Sequence, residues 1–308
     1  MSKEAVGTSG YRHSHYAESL AEFGRPRLLS GSGGWILERQ IPGTKARDAM
    51  GCYPLFCCRD WSALEDDLAQ IKRELVSLVL VTDPFGEYSE ALLGRTFPDL
   101  VVRFKEHFVT DLRRGANSFV TRHHRYYARK AMEKVAVERC DHPASMLDEW
   151  SALYDYLVAR QGLAGMKTFS RASFARQLNV PGMVMLRATH EGETVGIHLF
   201  YLQDGVVFSH LAASNARGYE LMAAYALSWQ ALKFFSDDAC WIDWGAGAGL
   251  GKQAGDGLTR FKRGWSSSVR PAYLCGCIFD PVKYDELAQH KRSDVTSYFP
   301  AYREGELS

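Results

Sequence analysis

Three β-favouring runs stand close together in the second half of the chain, and their spacing restricts its fold more than any other feature. "MVMLRAT" (183–189), "TVGIHLFYL" (194–202) and "VVFSHLAA" (206–213) are separated only by "HEGE" and "QDG". Gaps of this length and composition join antiparallel neighbours, so the runs should form a meander. Around it the chain reads helix, helix, meander, helix, strand, short helix, strand. Asp141 or Ser145 opens the first helix, with Leu147, Trp150, Tyr154, Leu157 and Val158 in one apolar stripe. The second, near 170–179, stops before Pro181. Ser214 or Asn215 caps the third, in which Leu221, Tyr225, Trp229, Leu232 and Phe235 face inward. "CWIDW" (240–244) and "VRPAYLCGCIF" (269–279) are the later strands, with "GLTRFKRGW" (257–265) as a short helix between them. This order predicts α/β layers around a mixed sheet.

The first half supplies a lobe of its own. "GGWILER" (33–39), "MGCYPLFCC" (50–58) and "LVSLVLV" (75–81) read as strands. Asp60 is placed to cap a helix over 61–74, where Leu64, Leu68, Ile71 and Leu75 recur at helical spacing. "DLVVRFKEHFVTDL" (99–112) supplies one or two further strands. A basic helix follows, with seven Lys/Arg between Arg113 and Lys134 against one Glu. Arg122, Arg125 and Arg129 lie on one side of it. The expected division is an N-terminal arm over 1–30, an N-terminal lobe with its basic linker helix over 31–135, and a C-terminal lobe over 136–308.

At 308 residues with 46% apolar content the chain can bury a sizeable core. Its 37 Lys/Arg and 36 Asp/Glu nearly balance, so any polyanion contact has to come from local clustering. No apolar segment near the N-terminus reads as a secretory signal, and the longest strongly apolar run, Leu75–Val81, is too short to span a bilayer. The seven cysteines form no C-x-x-C pair, which favours reduced thiols, a cytoplasmic setting and no metal site. Cys275 and Cys277 should share one face of a strand. No feature specifies an oligomeric state.

"WIDWGAGAGLGKQ" (241–253) resembles two nucleotide loops at once. As acidic-x-G-x-G-x-G after a strand it suggests an S-adenosylmethionine methyltransferase. Only 59 residues follow Gly249, too few to complete the doubly wound sheet that such a loop begins. A Walker A reading fails because Ala246 stands at its first glycine and Gln253 at its Ser/Thr. The methyltransferase therefore stays as a remote alternative, and a flexible connection is the plainer reading.

"FVTDLRRGANSFVTRHHRYYARKAMEKVAVER" (108–139) resembles the linker of Fem-like aminoacyl transferases and their GNAT-superfamily N-acyltransferase relatives. The matching positions are Asp111, Leu112, Arg125, Arg129, Lys130 and Ala131. "EWSALYDYLVARQGL" (149–163), "GETVGIHLFYLQDGVVFSHLAAS" (192–214) and "GDGLTRFKRGW" (255–265) are similar to the elements that follow, the last through Gly257, Leu258, Phe261, Lys262 and Trp265. The likeness covers roughly residues 100–280. It implies an α/β (α+β) GNAT-type acyltransferase fold, usually two such lobes packed together, and transfer of an acyl group to an amine. The donor it implies is aminoacyl-tRNA or acyl-CoA, with no tightly bound cofactor. CoA-using relatives hold pyrophosphate on a [QR]-x-x-G-x-[GA] loop, and the corresponding "SNARGYELMA" (214–223) keeps only Arg217-Gly218 of it. That departure favours aminoacyl-tRNA, with Arg122, Arg125, Arg129 and Lys130 as its contacts and an amine-bearing small molecule or peptide as acceptor. A non-catalytic binding module on the same fold is the remaining rival.

Amide formation needs a deprotonated amine, donors for the oxyanion and a well-placed acceptor. His210 is the first candidate for general base and His198, on the adjacent strand, the second. A three-residue QDG loop would set the two directly opposite, and a two-residue DG turn would stagger them by one position. Asp243 could orient a histidine, anchor the substrate amine or cap its turn. Lys262 matches a family position that binds acidic substrate groups, with Arg260 and Arg263 beside it. Trp265 and Tyr219 are further candidate substrate contacts. Substrate-assisted proton transfer would dispense with a side-chain base.

Overall fold

The computed structural model of the chain describes residues 8–247, 257–289 and 298–306. In chain order it holds α1 (Ser14–Ser19), β1 (Arg25–Leu29), β2 (Gly34–Gln40), β3 (Arg47–Gly51), α2 (Leu64–Ile71), β4 (Ser77–Val81) and α3 (Glu90–Thr96). There follow β5 (Leu100–Asp111), α4 (Arg122–Met132), β6 (Ala136–Cys140), α5 (Leu147–Gln161), α6 (Arg171–Gln177), β7 (Met183–His190), β8 (Glu193–Gln203) and β9 (Val206–Ser214). The remainder is α7 (Ala216–Glu220), α8 (Ala223–Phe234), β10 (Trp241–Asp243), α9 (Gly257–Arg263), β11 (Ser268–Ile278) and α10 (Pro281–Gln289).

Two compact units share these elements. Ser14–Lys105 joins Pro271–Ser308 in one, and the residues up to His13 join Glu106–Arg270 in the other. The expected lobes met instead at 135/136. The difference comes from strand pairing: β11 returns to lie antiparallel to β4, with Leu274 opposite Val81 and Ile278 opposite Ser77.

In the first unit the strand order is β1-β2-β3-β4-β11, antiparallel except for the β3–β4 pair. Leu64, Leu68 and Ile71 of α2 and Leu93 of α3 pack with Ile36, Ala49, Leu78 and Leu80 of the strands. Cys275 and Cys277 of β11 point into that same core. The strand expected over 50–58 is shorter: β3 ends at Gly51, and Phe56 keeps one bridge to Thr82. Residues 8–30, expected as an arm, contain α1 and β1, and Tyr16, Ala17 and Leu20 are fully buried. A six-residue helix is too short to show a period in the sequence. Asp48 of β3 holds the C-terminal segment, accepting two hydrogen bonds from Arg303 (2.8 and 2.9 Å) and one from Tyr302 (3.2 Å).

In the second unit the order is β5-β10-β9-β8-β7-β6. β10 runs parallel to β9 and antiparallel to β5, and every other pairing is antiparallel. The meander is as the spacing predicted. Both of its turns have two central residues at positive φ, Glu191-Gly192 and Asp204-Gly205, as type I′ geometry requires. Ala128 and Ala131 of α4 and Ala223, Leu227 and Ala231 of α8 pack with Phe200, Val207 and Ile242 on one face. The helix expected from Asn215 divides into α7 and α8 at Met222, which sits at φ +58. On the opposite face α5 packs against β8 and β9 and against α6.

Tyr11 seats the N-terminal residues on this second face, its ring edge-on to Tyr201 (5.3 Å) and Phe208 (5.4 Å). Its hydroxyl donates to His210 Nδ1 at 3.1 Å, and His210 Nε2–H donates to Gln177 Oε1 at 2.9 Å. Burial pulls the His210 pKa down to about 3.

Two stability outcomes follow from these contacts. Arg39 and Arg303 are both buried beside Asp48, which is itself fully buried. Asp48→Ala strands these cations and should cost about 3–5 kcal/mol in urea unfolding. A loss below about 1 kcal/mol would mean that Glu306, which also bonds both arginines, replaces it. His210 is neutral in the fold down to about pH 3, whereas in the unfolded chain it gains a proton below about 6.5. Stability from this group is therefore complete above pH 6.5 and falls by about 1.4 kcal/mol per unit as pH drops toward 3. His210→Gln should flatten the acid limb by that slope, measured by urea unfolding between pH 6 and 4. Equal slopes in both proteins would refute it.

Candidate functional site

The meander sets where the two candidate histidines can point. The two-residue Asp204-Gly205 turn pairs Gln203 with Val206, and the pairing continues to Phe200 opposite Ser209. Leu199 then faces Leu211, so His210 is the extra residue of a β-bulge. His198 consequently pairs with Ala212, and the direct opposition offered by a three-residue loop does not occur.

The two rings lie on opposite faces. His210 sits among Tyr11, Tyr201 and Phe169, with both nitrogens engaged. The ring has no lone pair left to take a substrate proton. His198 stacks on Phe200 at 3.9 Å on the α4–α8 face, and its Nε2 bonds Ser209 Oγ at 2.7 Å. Burial, aided by the nearby Lys262 ammonium, pulls its pKa down to about 3.

The C-terminal end of β10 gathers the chemistry instead. Asp243 pairs with Val109 of β5, so His107, two residues earlier on β5, lies diagonally across from it on the same face. His107 Nδ1–H donates to both Asp243 oxygens, at 2.8 and 3.0 Å. The carboxylate is 2% exposed, and its Oδ1 also accepts from Gly245 N at 2.7 Å. Among the described residues nothing bonds His107 Nε2, on a side chain that is 9% exposed. Sequence reasoning missed His107. Its only signal is the alternation of "HFVTD", which matters once β5 is known to pair with β10.

Lys262 reaches the same turn from α9, its Nζ donating to Ala246 O at 2.8 Å. Gly245 stands at φ +77, and a Cβ there would lie 3.0 Å from that ammonium, which explains a glycine at this point. The later part of the glycine run, with Gly249, Gly251, Lys252 and Gln253, lies outside the described residues. The methyltransferase reading fails on topology, because β10 has an antiparallel neighbour where a doubly wound sheet needs parallel ones.

α9 is held to the start of α4. Thr121 caps α4, and its backbone N–H donates to Gly264 O at 3.1 Å. His124 spans the joint, bonding Thr121 Oγ1 at 2.8 Å and donating to Phe261 O at 2.9 Å. Trp265 is fully buried against His124 at 4.9 Å, which makes it part of this joint and closes it to a substrate. Arg260 is exposed, and the exposed Arg263 lies over the Phe108 ring at 5.7 Å. Tyr219 lies apart from this group, its ring under the Arg160 guanidinium at 4.2 Å. On α4, Arg122, Arg129 and Lys130 are exposed, while Arg125 donates to Asn117 O at 2.9 Å.

The turn after β9 spends the Gly218 N–H on its own cap. Asn215 Oδ1 accepts the Gly218 N–H at 2.8 Å, and a Cβ at Gly218 would lie 2.0 Å from Val195 O. Gly218 is thus a packing glycine, and its N–H is already used.

No protein-family model matches the sequence, and no curated protein matches it. Solved structures do. FemX superposes with a TM-score of 0.66 at 12% identity, over 89% of this chain and 93% of that one. The C-terminal domain of a putative lysylphosphatidylglycerol synthetase from Agrobacterium fabrum gives 0.60 at 13%, over 86% and 88%. L-PGS from Bacillus licheniformis gives 0.56 at 16%, over 88% and 93%. At such identities the likeness speaks for the fold, and the chain has the Fem-like, GNAT-type acyltransferase fold that its sequence motifs implied.

Proposed function

We propose that this chain is an amide-forming aminoacyltransferase that moves an aminoacyl group from aminoacyl-tRNA to the amine of a small molecule or peptide. The capped Gly218 in the turn after β9 supports this choice of donor. Where an acyl-CoA enzyme of this fold would offer backbone N–H groups to pyrophosphate, Gly218 N–H is capped by Asn215 and the backbone is pressed against Val195. A second observation supports a polyanionic donor. Arg122, Arg129 and Lys130 stand exposed on α4, a helix with no acidic residue. Phosphodiester groups of an acceptor stem meet such a row without sequence readout. In this reading Lys262, with Arg260 and Arg263 near it, meets the acidic group of the bound substrate as a cation. The reaction then belongs to the cytoplasm, where charged tRNA is made. Among the described residues no helix is long and apolar enough to cross a membrane.

An amide-formation assay distinguishes the donors. Charged tRNA and acyl-CoA are each supplied with a panel of free amino acids, diamines and short peptides, with and without ribonuclease. The expected product forms from charged tRNA and disappears with ribonuclease, and ribonuclease-resistant product from acyl-CoA would overturn the donor assignment. In a binding titration, Arg122→Glu with Arg129→Glu should weaken tRNA affinity and lower the log–log salt slope by about 1 to 2. An unchanged slope would remove α4 from the tRNA contact.

A further inference from the structure

Resting on the acyl-transfer reading, the geometry at the end of β10 assigns a proton acceptor. We infer that His107 is the general base for the acceptor amine and that Asp243 is its positioning residue. An acceptor amine is an ammonium near neutral pH, and it must shed one proton before it attacks an ester carbonyl and a second as the amide forms. A base for this step needs a lone pair that no other group occupies and a partner that faces the cation it becomes. His210 lacks the first, because Tyr11 and Gln177 occupy both nitrogens. His198 lacks the second, since the charge that acts on it is the Lys262 ammonium, which opposes a cation there.

His107 has both. Asp243 takes its Nδ1 proton with two oxygens at 2.8 and 3.0 Å, which selects the tautomer with the lone pair on Nε2. Gly245 N–H, at 2.7 Å from Asp243 Oδ1, keeps the carboxylate turned toward the ring. The Asp243 carboxylate is buried with the ring and faces its Nδ1 edge directly. Lys262 is tied to the next peptide of the same turn through Ala246 O, so a cation and the dyad flank one short segment.

The step balances on these groups. The ammonium first releases one proton to solvent, and the neutral amine nitrogen then forms a bond to the ester carbonyl carbon while a second proton passes from it to His107 Nε2. The tetrahedral intermediate then breaks its C–O bond to the ribose oxygen, and the same proton passes from Nε2 to that oxygen. The imidazole returns to its starting tautomer, and no other reactant is consumed.

Steady-state kinetics with charged tRNA and a working amine acceptor test the assignment, with melting curves for each variant. His107→Ala and the bulkier His107→Gln should each lower kcat about a hundredfold or more, with the acceptor KM within about threefold of wild type. Added imidazole should restore part of the His107→Ala rate. Asp243→Asn keeps the acceptor for Gly245 N–H but turns an amide N–H toward Nδ1, moving the ring proton to Nε2. It should lower kcat to a similar degree without a matching fall in melting temperature. If wild type is active and both His107 variants keep kcat within threefold, the base assignment falls and acyl transfer stands. Loss of rate that imidazole does not restore, together with a lowered melting temperature, would reduce His107 to a structural role. If wild type transfers from neither charged tRNA nor acyl-CoA, the acyl-transfer reading falls and takes this inference with it.

Discussion

The pairing of β10 with β5 is the contact on which the candidate site depends. β10 has three residues, and its parallel contact with β9 fixes its height while its antiparallel contact with β5 fixes its register. Ile242 then enters the core between sheet and helices, and Asp243 must point the other way. A carboxylate at 2% exposure is costly unless its lone pairs are met. His107 and Gly245 N–H meet them. The chain continues from this strand with Trp244, whose indole N–H donates to Thr110 Oγ1 at 2.8 Å, and Thr110 in turn donates to Trp265 O at 2.7 Å. One strand pairing thus positions the dyad and, through Trp265, the helix that carries Lys262.

The neighbouring strand β9 shows the same economy of register. A single extra residue at His210 reverses which face its successors occupy and turns that histidine into the pocket of Tyr11, Tyr201 and Gln177. A buried imidazole bonded at both nitrogens specifies how the N-terminal residues dock. At the other end of β9, Gly218 lets the α7 backbone press on Val195 with no room for a side chain. The Gly218 N–H there is spent on the Asn215 side chain.

Much of the fold is legible in local spacing. The meander, its two tight turns, the cap at Asn215 and the basic helix all rest on residues within about a dozen positions of each other, where side-chain period and turn chemistry act directly. Elements with too few residues to show a period, α1 and β1 among them, are harder to read. Asp60 illustrates a local misreading: it accepts from Ser62 rather than capping α2, which begins later, at Leu64. Asp243 and Lys262 could be singled out from their neighbours in sequence, whereas the partners that give them a role could not.

By itself the sequence determined the order of the main elements from α5 to β11, the cation-rich face of α4 and the presence of an acidic residue at the end of a strand beside a glycine run. Only the tertiary structure decided that this acid meets His107, that His210 is closed off, and that Gly218 serves packing. The physical reason is register. His107 and Asp243 are 136 positions apart, and a slip of one residue between β5 and β10 would send them to opposite faces. Periodicity along one segment says which residues share a face, and it takes the packed core, through Ile242, Phe108 and Trp244, to say which faces meet.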